Sequence, residues 1–342
     1  MQQAFYTEPA VEVTRGDLVE SVHHAAVAVV RSDGALLSFL GDPNLVTYMR
    51  SAAKPFQALP IVESGVLEAD NFGVRELAII CASHSGQTFH TELVQSMLDR
   101  IGMSVADLRC GTHYPMHAPT TKAMRQAGVA ATPIHNNCSG KHTGMLALSA
   151  YLGAADRDYR DTDHPVQQRD LAALADMADV APDSIAVAVD GCSVPSFALP
   201  LRAAALAFAR LLDPQGVGAA RAAAARRVAE AMQAYPELVA GDDRFDTWLM
   251  ANTSGLVSKG GAEGYHGVGV MRGGEALGIV CRVADGDVSG RAVPPLVLEV
   301  LAQLGIEPRE NEETARWRYG VVRNRHANVV GAVRPAFRLR SA

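Results

Sequence analysis

The chain has 342 residues, 48% hydrophobic and 20% charged, which excludes a disordered or fibrous polypeptide and allows one large domain or two modest ones. With 31 basic against 37 acidic residues the formal net charge is -6. The overall positive field that gathers nucleic acid or an anionic membrane is missing, so neither is an expected partner. Five cysteines are too few and too odd in number for a disulfide-stapled fold, and a reducing cytoplasm is the expected setting.

The first residues, MQQAFYTEPAVEVTRGD, lack the basic and apolar regions of a secretory leader. Next comes a Val-rich apolar run, His24 to Val30, followed by Ser32-Asp33-Gly34 and a second run, Ala35 to Leu40. Two short runs around Asp-Gly predict a hairpin. Pro55 to Ser64 predicts a helix that opens on proline and stops before Gly65. Apolar residues at three- and four-residue spacing predict helices over Thr88–Ile101, Lys141–Leu152 and Pro165–Met177. Ile185 to Val189 is a short β-branched run, read as a strand.

The Ala-rich stretch Leu201 to Leu212 contains Arg202 and Arg210 and is too short to span a membrane, so a buried amphipathic helix is expected. Ala204–Leu212 and Ala219–Tyr235 form a helical pair broken at Asp213-Pro214-Gln215-Gly216. Tyr265–Met271 and Leu277–Val283 flank Gly273-Gly274 and predict a second hairpin. Strands near both ends with helical sequence between them predict an α+β fold, an antiparallel sheet flanked by helices, with the termini meeting at the sheet. One catalytic unit over residues 1–342 is expected, with a mostly helical subregion at about 85–250 inserted between the sheet-forming segments.

Several constellations could carry chemistry. In Ser51-Ala52-Ala53-Lys54, a serine at a helix start stands one turn from a lysine, and a neutral lysine can remove a hydroxyl proton. The same residues also fit an N-cap serine beside a solvated lysine. Lys259-Gly260-Gly261 precedes a predicted strand and is like the Lys-Thr-Gly of penicillin-recognising enzymes, with Gly in place of Thr. A flexible turn is its plain alternative. Cys81-Ala82-Ser83-His84-Ser85-Gly86 offers a second hydroxyl at an element's end, yet no Gly-x-Ser-x-Gly elbow supports a serine triad.

His135 to His142, with Asp190-Gly191-Cys192, supplies thiols, nitrogens and a carboxylate suited to a soft metal, although no C-x-x-C pair occurs. Cys138 stands among polar residues, whereas Cys81, Cys110 and Cys281 read as core. Gly140-Lys141-His142-Thr143-Gly144 fails as a phosphate loop, because His135 stands where a glycine is required and His142 where Ser or Thr is required.

Together, Tyr48 to Pro55, Cys81 to Gly86, His135 to Gly144, Asp190-Gly191-Cys192 and Lys259-Gly260-Gly261 resemble the asparaginase II family, the Rhizobium etli-type L-asparaginases, over residues 10–335. The resemblance implies a serine β-lactamase/glutaminase-like fold and hydrolysis of L-asparagine, a small-molecule substrate, to L-aspartate and ammonia. It implies two catalytic pairs, Ser51 with Lys54 and Ser83 with Lys259, leaving open which serine attacks. A Zn2+ ion held by Cys138, Lys141 and Cys192 is also implied, as are Arg50, Asp190 and His142 as groups orienting substrate or ligands, and a homodimer. A related amidase acting on glutamine or another amide, and a non-catalytic zinc-stabilised binding protein, are the alternatives.

Overall fold

The computed structural model describes residues 6–342; the leader reading above begins at residues 1–5, outside the described residues. The chain forms β1 (Glu8–Arg15), β2 (Leu18–Arg31), β3 (Leu36–Leu40) and β4 (Val46–Tyr48). A largely helical stretch leads to β5 (Ala186–Val189) and β6 (Pro195–Pro200). The last third carries β7 (Leu256–Gly260), β8 (Tyr265–Arg272), β9 (Glu275–Val283), β10 (Gly320–Arg323), β11 (Val329–Pro335) and β12 (Arg340–Ser341). Two compact units result. The first contains residues 1–52, 198–213 and 252–342, and the second residues 53–197 and 214–251.

The first unit holds an antiparallel sheet in the order β10-β11-β1-β2-β9-β8-β7, with β3 paired to β2 and β12 to β3. Both expected hairpins are there. In β2–β3 the Asp33 carboxylate accepts the Ala35 amide at 3.0 Å, and Gly34 takes φ 93°. In β8–β9, Gly273 and Gly274 both have positive φ, the condition of a type I′ turn, which is why two glycines stand there. β2 extends back to Leu18, beyond the apolar run, because its first five residues are exposed and carry no hydrophobic signal.

The Leu201–Leu212 helix lies against β8, β9 and β2. Its approach is close: a β-carbon on Gly278 would fall 1.7 Å from the Ala205 carbonyl oxygen. Ten of its twelve residues are buried, as expected of the Ala-rich stretch. The Val293–Gln303 helix also packs on β8 and β9, most of whose residues are buried.

The second unit is mainly helical, with helices Thr88–Arg100, Ser139–Tyr151, Pro165–Ala178 and Ala219–Ala234 close to their expected bounds. One helix differs. The segment expected as Pro55–Ser64 is two short helices, Lys54–Gln57 and Leu59–Ser64. Pro60 has no amide proton to continue the ladder, and Gly65, at φ 83°, ends the second piece. No helix among the described residues is long and apolar enough to cross a membrane.

Candidate active site

Within the second unit, the Lys54–Gln57 helix opens on a lysine that is fully buried. Its Nζ lies 2.9 Å from Ser83 Oγ and donates to the Ala82 carbonyl at 2.6 Å. Lys54 thus reaches Ser83, whereas its spacing pointed it at Ser51 and the family resemblance paired Ser83 with Lys259. Spacing fixes which face of a helix a side chain leaves from; packing decides what it meets there.

Ser83 sits just past the Val74–Ile80 helix, and its backbone is clamped from two sides. Its amide donates to the Val239 carbonyl at 3.0 Å, and the His84 amide donates to the Asn137 carbonyl at 3.1 Å. Ser85 Oγ donates to the Ala240 carbonyl at 2.8 Å. The loop at Gly241 comes so close that a β-carbon there would lie 2.6 Å from Ser85 Oγ. From the other side, Gly140 lets the Ser139–Tyr151 helix pass the preceding helix end, since its β-carbon would fall 2.3 Å from the Ile79 carbonyl oxygen. Gly140 and Gly144 are therefore packing glycines.

That helix delivers the thiol cluster. Cys138, Lys141 and Cys192 are all buried. Lys141 Nζ donates to Cys192 Sγ at 3.2 Å, and Cys138 Sγ donates to Asn137 Oδ1 at 3.4 Å. The neighbouring Cys192 holds the Cys138 thiol well below its ordinary pKa despite burial, helped by the nearby Lys54 and Lys141 side chains. The neighbouring Cys138, together with burial, pushes Cys192 up. Burial opposes the charge on Lys141, yet the two sulfurs and Asp190 outweigh it and raise its pKa. Lys54 also acts electrostatically on Cys138, so the Ser83–Lys54 pair and the thiol cluster are neighbours.

Two sulfurs and an amine brought together in this way are a donor set of the kind zinc takes, provided the lysine gives up its proton. Among the described residues no group of three His, Cys, Asp or Glu side chains is arranged to hold a metal, so such a site depends on Lys141 as its third donor. Half-buried Asp190 closes a tight turn, accepting the Gly191 amide at 2.8 Å. His142 is fully buried, its Nδ1 2.8 Å from the Tyr159 hydroxyl.

The first unit gathers the remaining predicted residues. Arg50 adopts φ 53°, a left-handed conformation that costs a non-glycine residue about 1–3 kcal/mol and is concentrated at functional sites. It opens the 3-10 turn Arg50–Ala53 that carries Ser51. The end of β7 runs against this turn: a β-carbon on Gly261 would lie 2.5 Å from the Met49 carbonyl oxygen. Lys259, buried on β7 opposite Gly267, donates to the Gly260 carbonyl at 2.8 Å. The second glycine of Lys259-Gly260-Gly261 is therefore needed for the strand to pass the Ser51 turn.

Two histidines stand around Ser83: His84, which the sequence offered only as an unsupported triad base, and His90, which sequence reasoning passed over. His84 Nδ1 accepts the Gly86 amide at 3.1 Å, so its Nε2–H donates to Ser139 Oγ at 2.9 Å. His90 Nδ1 accepts the Gln87 amide at 3.2 Å, and its Nε2–H donates to the Glu237 carbonyl at 2.9 Å. Neutral rings satisfy both networks. Burial pulls His90 down to about 4. The unfolded chain then gains a proton near the ordinary histidine pKa of about 6.5 that the folded chain refuses until about 4. Stability contributed by His90 is full above pH 6.5 and falls by about 3 kcal/mol as the pH drops to about 4. Urea unfolding at several pH values across this window is expected to show that loss, and His90→Gln a shallower one. Equal slopes in both proteins would remove His90 as the cause.

Comparison with solved structures finds distant likenesses only. "Mglu in its native form" is 12% identical with a TM-score of 0.42, covering 84% of this chain and 66% of that one. Mglu in its L-glutamate binding form is 14% identical with a TM-score of 0.39, covering 84% of this chain and 61% of that one. A Bacillus glutaminase is 14% identical with a TM-score of 0.36, covering 83% and 91%. This chain thus spans somewhat less than two thirds of the length of the Mglu chains. No curated protein matches it. The family model described as L-asparaginase II, however, matches residues 11–335, so the clamped serine, its lysine and the thiol cluster all fall inside the matched region, and the chain belongs to the L-asparaginase II family of amidohydrolases.

Proposed function

We propose that this amidohydrolase converts L-asparagine and water to L-aspartate and ammonia by a serine–lysine mechanism in which Ser83 and Lys54 act as one pair. The observation that supports this reading most is the 2.9 Å contact between Lys54 Nζ and Ser83 Oγ. With Nζ neutral, Lys54 accepts the hydroxyl proton as Oγ attacks the side-chain amide carbon. Collapse of the tetrahedral adduct breaks the carbon–nitrogen bond, and the Lys54 proton leaves with the nitrogen as ammonia. A water molecule then attacks the ester with Lys54 again as base, releasing aspartate and restoring the hydroxyl. Ser51, Lys259 and Arg50 are assigned to proton relay and carboxylate binding in this scheme.

Zinc is part of the proposal, held by Cys138, Lys141 and Cys192 with Asp190 and His142 orienting the set. When bound it would add fixed positive charge beside Ser83. A homodimer working in the cytoplasm completes the reading; all five cysteines are free and buried, as a reducing compartment allows.

The test is ammonia release from L-asparagine and L-glutamine, each with and without a chelator. Turnover of asparagine at least about tenfold above glutamine is expected, a factor that one methylene can supply. Chelation is expected to lower both asparagine turnover and the melting temperature, because a ligand bound only by the folded state stabilises it. Preference for glutamine would reassign the substrate. Full activity and an unchanged melting temperature in enzyme shown by elemental analysis to be metal-free would remove zinc from the scheme.

A further inference from the structure

Behind the thiol cluster, the Ser139–Tyr151 and Pro165–Ala178 helices enclose polar atoms that the chemistry above does not use. Asp170 is fully buried, and neither carboxyl oxygen has a hydrogen-bond partner. Gln167, one helical turn earlier, is only 1% exposed, and its Oε1 is likewise unpartnered. On the facing helix, His142 Nε2 is buried without a partner. Buried polar groups are paired in nearly all native structures, so four such atoms in one layer call for an account.

The hydrogen bonds around them fix their roles. The Tyr159 hydroxyl accepts the Arg109 amide at 2.9 Å, and His142 Nδ1, at 2.8 Å, is the acceptor at hand for its proton. The ring proton of His142 is then on Nε2, making that atom a donor without an acceptor. Asp170 and Gln167 Oε1 are acceptors without a donor. The two helices run antiparallel at this level, since His164, just before the second, lies 3.3 Å from Ser149 Oγ near the end of the first. Gln167 Nε2 donates to the Tyr159 carbonyl at 2.8 Å and lies 3.5 Å from Met145 Sδ, so Gln167 stands opposite Met145. One turn further along each helix brings Asp170 level with Lys141 and His142. In agreement, the charge of Lys141 is felt at the Asp170 carboxyl, which burial pushes well above its ordinary range.

We propose that Asp170 is a positioning residue: with Gln167 it binds an internal water that receives the Nε2–H of His142, fixing that ring behind Lys141. A buried water needs two to four polar partners, and these three side chains supply them. Gln167 also lines a groove of about 300 Å³ bounded by Leu171, Val187, Val189 and Phe197. The consequence is a preset orientation for the helix turn that carries Lys141.

The test uses full-length protein labelled with nitrogen-15 in histidine, with the His142 signals assigned by their loss in His142→Asn. In the wild type a neutral ring protonated on Nε2 is expected, with a cross-peak between that proton and a bound water. Asp170→Leu is expected to abolish the cross-peak and Asp170→Asn, which keeps an acceptor, to retain it. A ring protonated on Nδ1, the absence of the water cross-peak in the wild type, or its persistence in Asp170→Leu would each overturn the proposal. If Asp170→Leu does not fold, the wild-type and Asp170→Asn spectra decide. A kinetic arm rests on the asparaginase reading: Asp170→Leu is expected to lower kcat about tenfold with KM changed less than about twofold. The spectra do not depend on substrate, so a wrong substrate assignment would silence the kinetic arm alone.

Discussion

Ser83→Ala and Lys54→Met are each expected to reduce kcat for amide hydrolysis by a factor of about 10³ or more, with little further loss when combined. Groups that act as one unit are not additive, because once either is removed the other has nothing to do. The structure makes this a pointed expectation, since Lys54 is buried with its amine on Ser83. The double variant separates this from two independent contributions, whose losses would multiply to about 10⁶. Ser51→Ala is expected to cost less than Ser83→Ala, because the lysine nearest it in sequence is engaged elsewhere. If Ser51→Ala proves the more damaging and Ser83→Ala retains near-full turnover, the nucleophile assignment is wrong. Circular dichroism on each variant checks that the fold survives, a necessary control because Lys54 also holds the Ala82 carbonyl.

Gly278→Ala is expected to destabilise the protein by about 3 kcal/mol or more, and to leave little folded material at 37 °C. The added methyl group would meet the Ala205 carbonyl oxygen at 1.7 Å and the Ala209 amide nitrogen at 2.7 Å. Both belong to a helix backbone, which cannot rotate away as a side chain would. Relief requires the helix to lift from β8 and β9, opening the core of the first unit. Gly273→Ala provides the contrast. No neighbouring atom lies within 4 Å of its β-carbon position, so its cost is confined to the positive-φ turn, about 1 kcal/mol. Denaturant midpoints for the two variants measure the difference. Comparable losses at both sites would mean that the helix is free to shift.

The hairpins and most helices were legible in the sequence because their signals are local. Asp33-Gly34 and Gly273-Gly274 announce turns, and spacing alone marks the helix from Pro165. β1 and the start of β2 escaped for the same reason. Leu18, Val19 and Val22 are exposed, so no apolar face forms there, and β11, one of the two partners of β1, lies more than three hundred residues away. At the site, residue types were readable but partners were not. Nothing local to Ser51-Ala52-Ala53-Lys54 says that Lys54 meets Ser83, because that contact is made by tertiary packing. Tyr159 sits in a polar loop without any motif. Asp170 did leave a trace: a carboxylate in line with Val166, Ala173 and Met177 on the apolar face of its helix, a position where burial has to be explained.

The pairing of Val11 with Pro335 and Val13 with Val333 ties the order of synthesis to the order of folding. β1 leaves the ribosome long before β11, and its outer edge has no mate until β11 follows. At translation rates of about 5–20 residues per second this leaves the nascent chain with an open edge for roughly 15 to 65 s. A premature stop before Val329 would leave that edge permanently available to other nascent polypeptides.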